Sequence, residues 1–136
     1  MPETSILLAD DNSFILDHVR HTLEREHEFK ILAAVSDPDV VLRECVRLKP
    51  DVIVLDISMG EQSGINLAMQ LRDSGNLSKI VFLTVHEDHD FLNAAIGAGG
   101  SAYVVKSRLS ADLVRAINAV LDGKLFVSAN LLQNEP

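Results

Sequence analysis

The sequence predicts an α/β fold in which a parallel sheet of five strands carries helices on both faces. Short apolar runs recur along the chain, and two of them, DVIVLDI at 51–57 and KIVFLTV at 79–85, consist almost entirely of Val, Ile and Leu. Runs of this kind are typical of strands that are covered on both faces. Segments with helical spacing separate the apolar runs, and this strand–helix alternation is the pattern of a parallel sheet.

Each element follows from its own local pattern. Apolar side chains along one side of 13–26 predict the first helix. Asp37-Pro38 supplies an N-cap acid and a first-turn proline for the second helix. Ser110 is the predicted cap of the last helix, and Gly123 is its predicted stop. The strands are predicted at 5–10, 29–36, 51–57, 79–85 and 101–105, and the helices at 13–26, 38–48, 64–74, 89–98 and 111–122.

The order and handedness of the connections restrict the topology. Right-handed crossovers favour the flavodoxin-like, doubly wound strand order 2-1-3-4-5. The length is sufficient for a single hydrophobic core, and residues 1–123 are predicted to form one domain. Residues 124–136 do not extend the pattern and are interpreted as a C-terminal extension or the start of a linker.

Composition excludes several function classes. With 47% hydrophobic and 24% charged residues, the chain has the make-up of an ordinary globular domain. No apolar run approaches the roughly 20 residues that a membrane span needs. Cys45 is the single cysteine, and a lone cysteine agrees with a reducing, cytoplasmic location. A net charge of -8 argues against direct binding of nucleic acid by this chain.

Polar side chains stand where four of the predicted strands end. They are Asp10 and Asp11 after the first strand, Asp56 at the third, Thr84 at the fourth and Lys106 after the fifth. The carboxyl ends of parallel strands share one edge of a sheet, where ligands collect. We therefore expect three carboxylates, a hydroxyl and an ammonium group to meet in one crevice.

This set of groups indicates phosphoryl chemistry. Three clustered carboxylates repel one another unless a cation lies between them, and oxygen ligands without His or Cys favour Mg²⁺. Lys106 adds a fixed positive charge to the same crevice. The site thus combines a carboxylate nucleophile, a metal position and donors for phosphoryl oxygens.

Taken singly, these residues carry little information. An aspartate at a strand end usually caps a helix, and a lone lysine is usually a solvated loop residue. Histidines suggest a different metal site, but His18, His21 and His27 lie on or just after the first helix and are interpreted as surface residues. His86, after the fourth strand, is given a minor role near the crevice.

The chain resembles the receiver domain of two-component response regulators over about residues 5–123. The resemblance lies in ADDN (9–12), DVIVLDISM (51–59), Gly64, FLTV (82–85) and AYVVKS (102–107). It implies that Asp56 accepts a phosphoryl group from a phosphohistidine of a sensor histidine kinase. It also implies that the domain is no enzyme beyond its own phosphorylation and dephosphorylation.

The resemblance assigns a role to each residue of the crevice. Asp11 and Asp56 would bind Mg²⁺ directly together with the backbone carbonyl of Ser58, while Asp10 would act mainly through metal-bound water. Thr84 and Lys106 would each bind an oxygen of the phosphoryl group. In a separate role, the aromatic ring of Tyr103 would change position as Thr84 moves inward, and Ser58 and His86 occupy loop positions that tune phosphoryl lifetime in the family.

Two departures from the family pattern stand beside these matches. Gly60 follows Met59 where proline is common, and Ser107 follows Lys106 where proline is also common. The Lys-Ser form and the Asp-Gly-Lys-x-x-x-Ser stretch at 122–128 resemble the NarL/LuxR class of transcriptional regulators. In that class a helix-turn-helix output domain follows the receiver and binds DNA. A homodimer on phosphorylation is a further expectation. A stand-alone receiver or a docking module without DNA-binding output is the alternative.

Two further alternatives have weaker support. A haloacid dehalogenase-type phosphatase needs a second acid two residues after its nucleophile, where this chain has Ser58 after Asp56. A flavodoxin-like FMN-binding protein needs a phosphate-cradling loop after the first strand, where Asp10 and Asp11 would repel the phosphate.

Overall fold

Six parallel strands and five helices make up the domain, and the computed structural model describes residues 3–59 and 62–128. The strands are β1 (Thr4–Ala9), β2 (Phe29–Val35), β3 (Val52–Asp56), β4 (Lys79–Thr84), β5 (Ala102–Val105) and β6 (Phe126–Val127). The helices are α1 (Ser13–Glu24), α2 (Pro38–Leu48), α3 (Gly64–Asp73), α4 (His89–Gly97) and α5 (Leu109–Leu121). A short antiparallel pair, Ser58–Met59 with Gln62–Ser63, lies outside the main sheet.

The predicted fold class is confirmed. The sheet has the order β2-β1-β3-β4-β5-β6, so its first five strands follow the predicted arrangement. All neighbouring strands in it are parallel. The bounds of each predicted element agree with the structure to within two residues. The near-continuous apolar runs thus form the central strands β3 and β4, whose side chains are buried on both faces.

The helices divide the core into two layers. On one face, α2, α3 and α4 pack against a set of strand residues that includes Leu7 and Ala9. On the other face, α1 and α5 pack against a set that includes Ile6 and Leu8. Successive residues of β1 therefore point to opposite layers, as a period of two requires. Each fully buried Leu or Ile side chain contributes about 1.5–3 kcal/mol to folding.

The start of α5 differs from the prediction, which named Ser110 as its cap. The helix begins at Leu109, and Arg108 occupies the N-cap position without a side-chain cap bond. A 3₁₀ turn, Lys106–Arg108, runs directly into the helix, so the backbone is already helical before Ser110 is reached. The Ser110 hydroxyl instead contacts Nε2 of His18 on α1, at 2.9 Å.

Other predicted helix ends are confirmed. The Asp37 side chain caps α2 and accepts a hydrogen bond from the backbone N–H of Asp39, at 2.9 Å. Gly123 follows α5 with φ of 76°, a left-handed conformation that glycine adopts without steric cost. Its N–H donates to the carbonyl of Val120.

A sixth strand lies in the segment where the apolar pattern predicts no strand. Phe126 pairs with Ala102 and Val127 with Tyr103, so β6 extends the sheet beyond β5. Two residues are too few to show a period, and the strand could not be recognised from the sequence. Its presence places the end of the described chain beside the strand that leads to Lys106.

Candidate functional site

The strand register brings the predicted polar residues to one edge of the sheet. Ala9 of β1 pairs with Leu55 of β3, so Asp10 follows β1 at the level of Asp56. Thr84 ends β4 and pairs with Val105 of β5, directly before Lys106. The carboxyl ends of these strands form one rim because the whole sheet is parallel.

Lys106 bridges two of the acids. Its Nζ atom lies 2.9 Å from Oδ2 of Asp10 and 3.4 Å from Oδ1 of Asp56. The three side chains are largely shielded from solvent, with exposed fractions of 14% for Lys106, 1% for Asp10 and 5% for Asp56. Because shielding from solvent strengthens charge interactions, the ammonium group of Lys106 offsets part of the negative charge of the two buried carboxylates.

The two buried carboxylates are held by backbone groups as well. Oδ1 of Asp10 accepts a hydrogen bond from the Asn12 N–H at 2.9 Å. Oδ1 of Asp56 accepts one from the Ser58 N–H at 3.1 Å. These bonds fix the carboxyl groups in the turns that follow β1 and β3, so both side chains are oriented in advance toward the rim.

The surroundings of Asp56 raise the pKa of its carboxyl group above the ordinary value. Burial is the main cause that raises its pKa, and the charge of Asp10 acts in the same direction. The Ser58 N–H and the Lys106 ammonium group oppose this rise. A carboxylate that is disfavoured in its charged form gains free energy when a cation approaches.

The acidic cluster has the donor set of a hard metal ion. Asp10, Asp11 and Asp56 each offer one carboxylate oxygen, and these three atoms lie within 4.8 Å of one another. Oδ2 of Asp10 is buried and makes no hydrogen bond, although it lies in ion-pair contact with Lys106. Three carboxylates opposite one ammonium group leave excess negative charge, and the residues present therefore suit a divalent cation with oxygen ligands.

Thr84 and Tyr103 are linked through the loop that follows β4. The Thr84 hydroxyl accepts a hydrogen bond from the His86 N–H at 2.9 Å. The Tyr103 hydroxyl donates to the carbonyl of the same residue at 3.2 Å. Tyr103 is fully buried, and burial raises its pKa to about 12, whereas an interaction with Thr84 lowers it.

His86 also joins the loop to α4, which the sequence did not show. Its ring stacks on that of Phe91, with centroids 3.9 Å apart and planes within 3°. Movement of Thr84 can therefore reach α4 through one residue. The stack was hidden in the sequence because five positions separate the two rings and a loop lies between them.

Gly64 determines the backbone position of Asp56. A Cβ atom at Gly64 would overlap the carbonyl oxygen of Asp56 and would crowd the Cα of Ile57. The Gly64 N–H in turn donates to the Ile57 carbonyl. The sequence includes Gly64 in the receiver-domain motif but indicates no role for it. In the structure, its missing side chain allows α3 to approach the turn after β3.

We expect Gly64→Ala to damage both stability and the site. Relief of the overlap requires the backbone to shift at Asp56, and such crowding costs about 1–3 kcal/mol. The melting temperature should fall, and labelling of the expected acceptor Asp56 by acetyl phosphate should slow. Gly97→Ala is the matched control, because nothing lies within 4 Å of a Cβ there and alanine favours a helix. Equal behaviour of the two variants would contradict this role of Gly64.

Two further predicted residues, Asp11 and Ser58, lie on the same rim. Asp11 is exposed next to Asp10. Ser58 contacts Asp56 through its N–H, and the metal-binding role of its carbonyl stays a prediction. Gly60 lies outside the described residues.

A cavity of about 560 Å³ lies at the opposite, amino-terminal end of the strands, lined by residues such as Pro50 and Lys79, and is separate from this site. Among the helices described here, none is both long and apolar enough to cross a bilayer.

Comparison with known proteins identifies the same family throughout. Residues 6–118 match the family model described as the response regulator receiver domain. The chain is 29% identical over 129 residues to the uncharacterized transcriptional regulatory protein YvfU of Bacillus subtilis, a match that covers 95% of this chain and 64% of the relative. It is 27% identical to the oxygen regulatory protein NreC of Staphylococcus aureus, a match that covers 93% of this chain and 58% of NreC.

Solved structures agree with the sequence matches. A two-component response regulator of the LuxR family from Aurantimonas superimposes with a TM-score of 0.91 at 30% identity, covering 96% of this chain and 94% of that one. The isolated receiver domain of RcsB from Salmonella enterica, with phosphomimetic BeF₃⁻, gives a TM-score of 0.89 at 23% identity, covering 96% and 97%. The second likeness concerns the fold alone. The chain spans less than two thirds of the length of the relatives YvfU and NreC.

Proposed function

This chain belongs to the response regulator receiver family, and from that premise we propose that it is a phosphorylation switch whose acceptor is Asp56. Its phosphodonor would be the phosphohistidine of a sensor histidine kinase, and its output would be transcription. The longer relative YvfU is described as a transcriptional regulatory protein, which supports this output. The division into a receiver at 1–123 and an extension or linker at 124–136 is part of the proposal.

One observation supports the acceptor assignment above the others. Asp56 is buried at the rim, lies 3.4 Å from the Lys106 ammonium group and shares a 4.8 Å cluster with Asp10 and Asp11. A nucleophile, a cation for phosphoryl oxygens and a metal-binding set are thereby gathered around one carboxyl group. Phosphoryl transfer needs this kind of positioning and charge stabilisation more than it needs proton chemistry.

The proposed transfer is an in-line displacement. A carboxylate oxygen of Asp56 attacks phosphorus while the P–N bond to the donor imidazole breaks, and the leaving nitrogen takes up a proton. Asp10, Asp11, Asp56 and the Ser58 carbonyl would hold Mg²⁺, which supplies positive charge next to the incoming anion. Lys106 would bind one phosphoryl oxygen and the Thr84 hydroxyl another.

Signal output would begin at Thr84. Attraction of its hydroxyl toward the new phosphoryl oxygens would weaken its bond with the His86 N–H, and the His86–Phe91 stack would pass the change to α4. Tyr103, which is buried and donates a hydrogen bond to the His86 carbonyl, would change position with the loop and stabilise its new arrangement. A preference of a few kcal/mol for one loop position is enough to invert the populations of two states.

We expect Mg²⁺ to stabilise the protein through this cluster. At ten times its dissociation constant, a ligand adds about 1.4 kcal/mol, which raises the melting temperature by about 6 °C in a domain of this size. EDTA should reverse the shift and also stop labelling by acetyl phosphate. Asp11→Asn should lose most of the shift, whereas Asp17→Asn, another exposed acid, should keep it. An unchanged melting temperature with Mg²⁺ would favour the alternative of a docking module.

A further inference from the structure

Two buried polar residues lie outside the acceptor site and are connected to each other. Asp112 on α5 and Ser128, directly after β6, have exposed fractions of 1% and 0%. The Ser128 hydroxyl donates to Oδ2 of Asp112 at 2.9 Å. Buried polar groups of this kind specify one arrangement of the chain because each lost bond leaves an unpaired group.

Ser128 is also bonded to the strand that leads to the acceptor site. Its N–H donates to the Tyr103 carbonyl at 3.0 Å, and its hydroxyl accepts a bond from the Val105 N–H at 3.0 Å. Val105 is the residue before Lys106. Ser128 therefore holds the backbone of Tyr103, the proposed switch residue, and of Val105, which precedes the lysine proposed to bind the phosphoryl group.

Asp112 connects the same serine to the turn that carries Lys106. Arg108, the last residue of the 3₁₀ turn, binds both carboxylate oxygens of Asp112, at 2.9 and 3.3 Å. The bidentate geometry fixes the turn from its far end. On the outer side, the guanidinium group of Arg115 lies 5.7 Å above the ring of Phe126 and helps to hold β6 in place.

We propose that Ser128 and Asp112 are positioning residues that couple the acceptor site to the departing chain. The segment Phe126–Ser128 holds β5 and the Lys106 turn in the geometry that binds the phosphoryl group. Loading of the site in turn tightens the attachment of this segment, because coupling between two equilibria is reciprocal. The attachment of Phe126–Ser128 to β5 thus depends on the state of Asp56. This inference rests on the proposed function.

Hydrogen exchange measures the coupling without any mutation. With Mg²⁺ and beryllium fluoride as the phosphoryl mimic, the amide hydrogens of Val105 and Ser128 should exchange about fivefold more slowly than without the mimic, at the lower end of typical coupling strengths. Amides at the amino-terminal rim, such as Lys79, should not change. Equal exchange of Val105 and Ser128 in both conditions would overturn the coupling.

Labelling kinetics test the positioning role. Ser128→Ala should lower the maximal rate of acetyl phosphate labelling about fivefold, the effect expected from loss of about one net hydrogen bond. Ser128→Thr, which keeps the hydroxyl, should recover most of the rate. Ser78→Ala is the matched control, since it removes a hydroxyl bond to the Pro50 carbonyl at the other end of the sheet. If Ser128→Ala and Ser78→Ala lose equal stability and Ser128→Ala is labelled at the wild-type rate, the proposal is overturned. Failure of the wild-type protein to be labelled would overturn the proposed function and this inference together.

Discussion

Asp56→Asn is expected to abolish labelling of the protein by acetyl phosphate. The amide of asparagine lacks the nucleophilic carboxylate oxygen, so no acyl phosphate can form. Intact mass should show one added phosphoryl group, about 80 Da, on the wild-type protein and none on the variant. Asp17→Asn, on the exposed side of α1, is the control and should be labelled as the wild type is. Persistent single labelling of Asp56→Asn would place the acceptor elsewhere.

The same variant should be more stable than the wild type in metal-free buffer at pH 7. Burial raises the pKa of Asp56, so its ionisation opposes folding once the pH exceeds the unfolded-state value. A neutral amide avoids this cost. Each kcal/mol gained in this way should raise the melting temperature by about 4 °C. The advantage should shrink as the pH falls and the wild-type carboxyl group takes up its proton. Lower stability at pH 7 would contradict the electrostatic description of the site.

Lys106→Ala is expected to have the second largest effect. It removes the ammonium group that contacts Asp10 and Asp56, and loss of one partner from a buried ion pair typically costs about 3–5 kcal/mol. The labelling rate should fall about tenfold or more, because a donor to the developing charge is lost. Mg²⁺ should bind more tightly, since the carboxylates have lost their competing cation.

The opposite directions of these effects make Lys106→Ala informative. A merely misfolded protein would lose both labelling and Mg²⁺ affinity, whereas we expect Lys106→Ala to lose labelling and to gain Mg²⁺ affinity. Lys106→Arg should retain part of the stability because it keeps the charge. Lys30→Ala, on the exposed part of β2, is the control. Unchanged labelling in Lys106→Ala would remove Lys106 from the mechanism.

The fold and the rim of the site could be predicted because both follow from long-range regularities. Apolar runs such as 51–57 and 79–85 can be buried on two faces only as central strands, and strand order fixes which ends share an edge. Asp10, Asp56 and Lys106 are separated by tens of residues, yet their positions at the carboxyl ends of parallel strands were sufficient to predict that they lie near one another.

Features that depend on single atoms could not be predicted in this way. Asp112 has the sequence context of a solvated helix residue. Its buried partner Ser128 lies 16 positions further along the chain, and no helical spacing predicts that contact. Gly64 depends on the approach of one carbonyl oxygen, which no periodicity encodes. Ser110 has good capping chemistry, but the 3₁₀ turn ahead of it started the helix early. Tertiary contacts override local preference at such positions.

The most direct test of phosphorylation at Asp56 is the chemical identity of the labelled residue. The protein is treated with acetyl phosphate and Mg²⁺, reduced with borohydride, which converts an aspartyl phosphate to homoserine, and analysed by peptide mass mapping. We expect homoserine at position 56 and unchanged aspartate at positions 10 and 11. Homoserine at either of those two residues, or at none of the three, would contradict it.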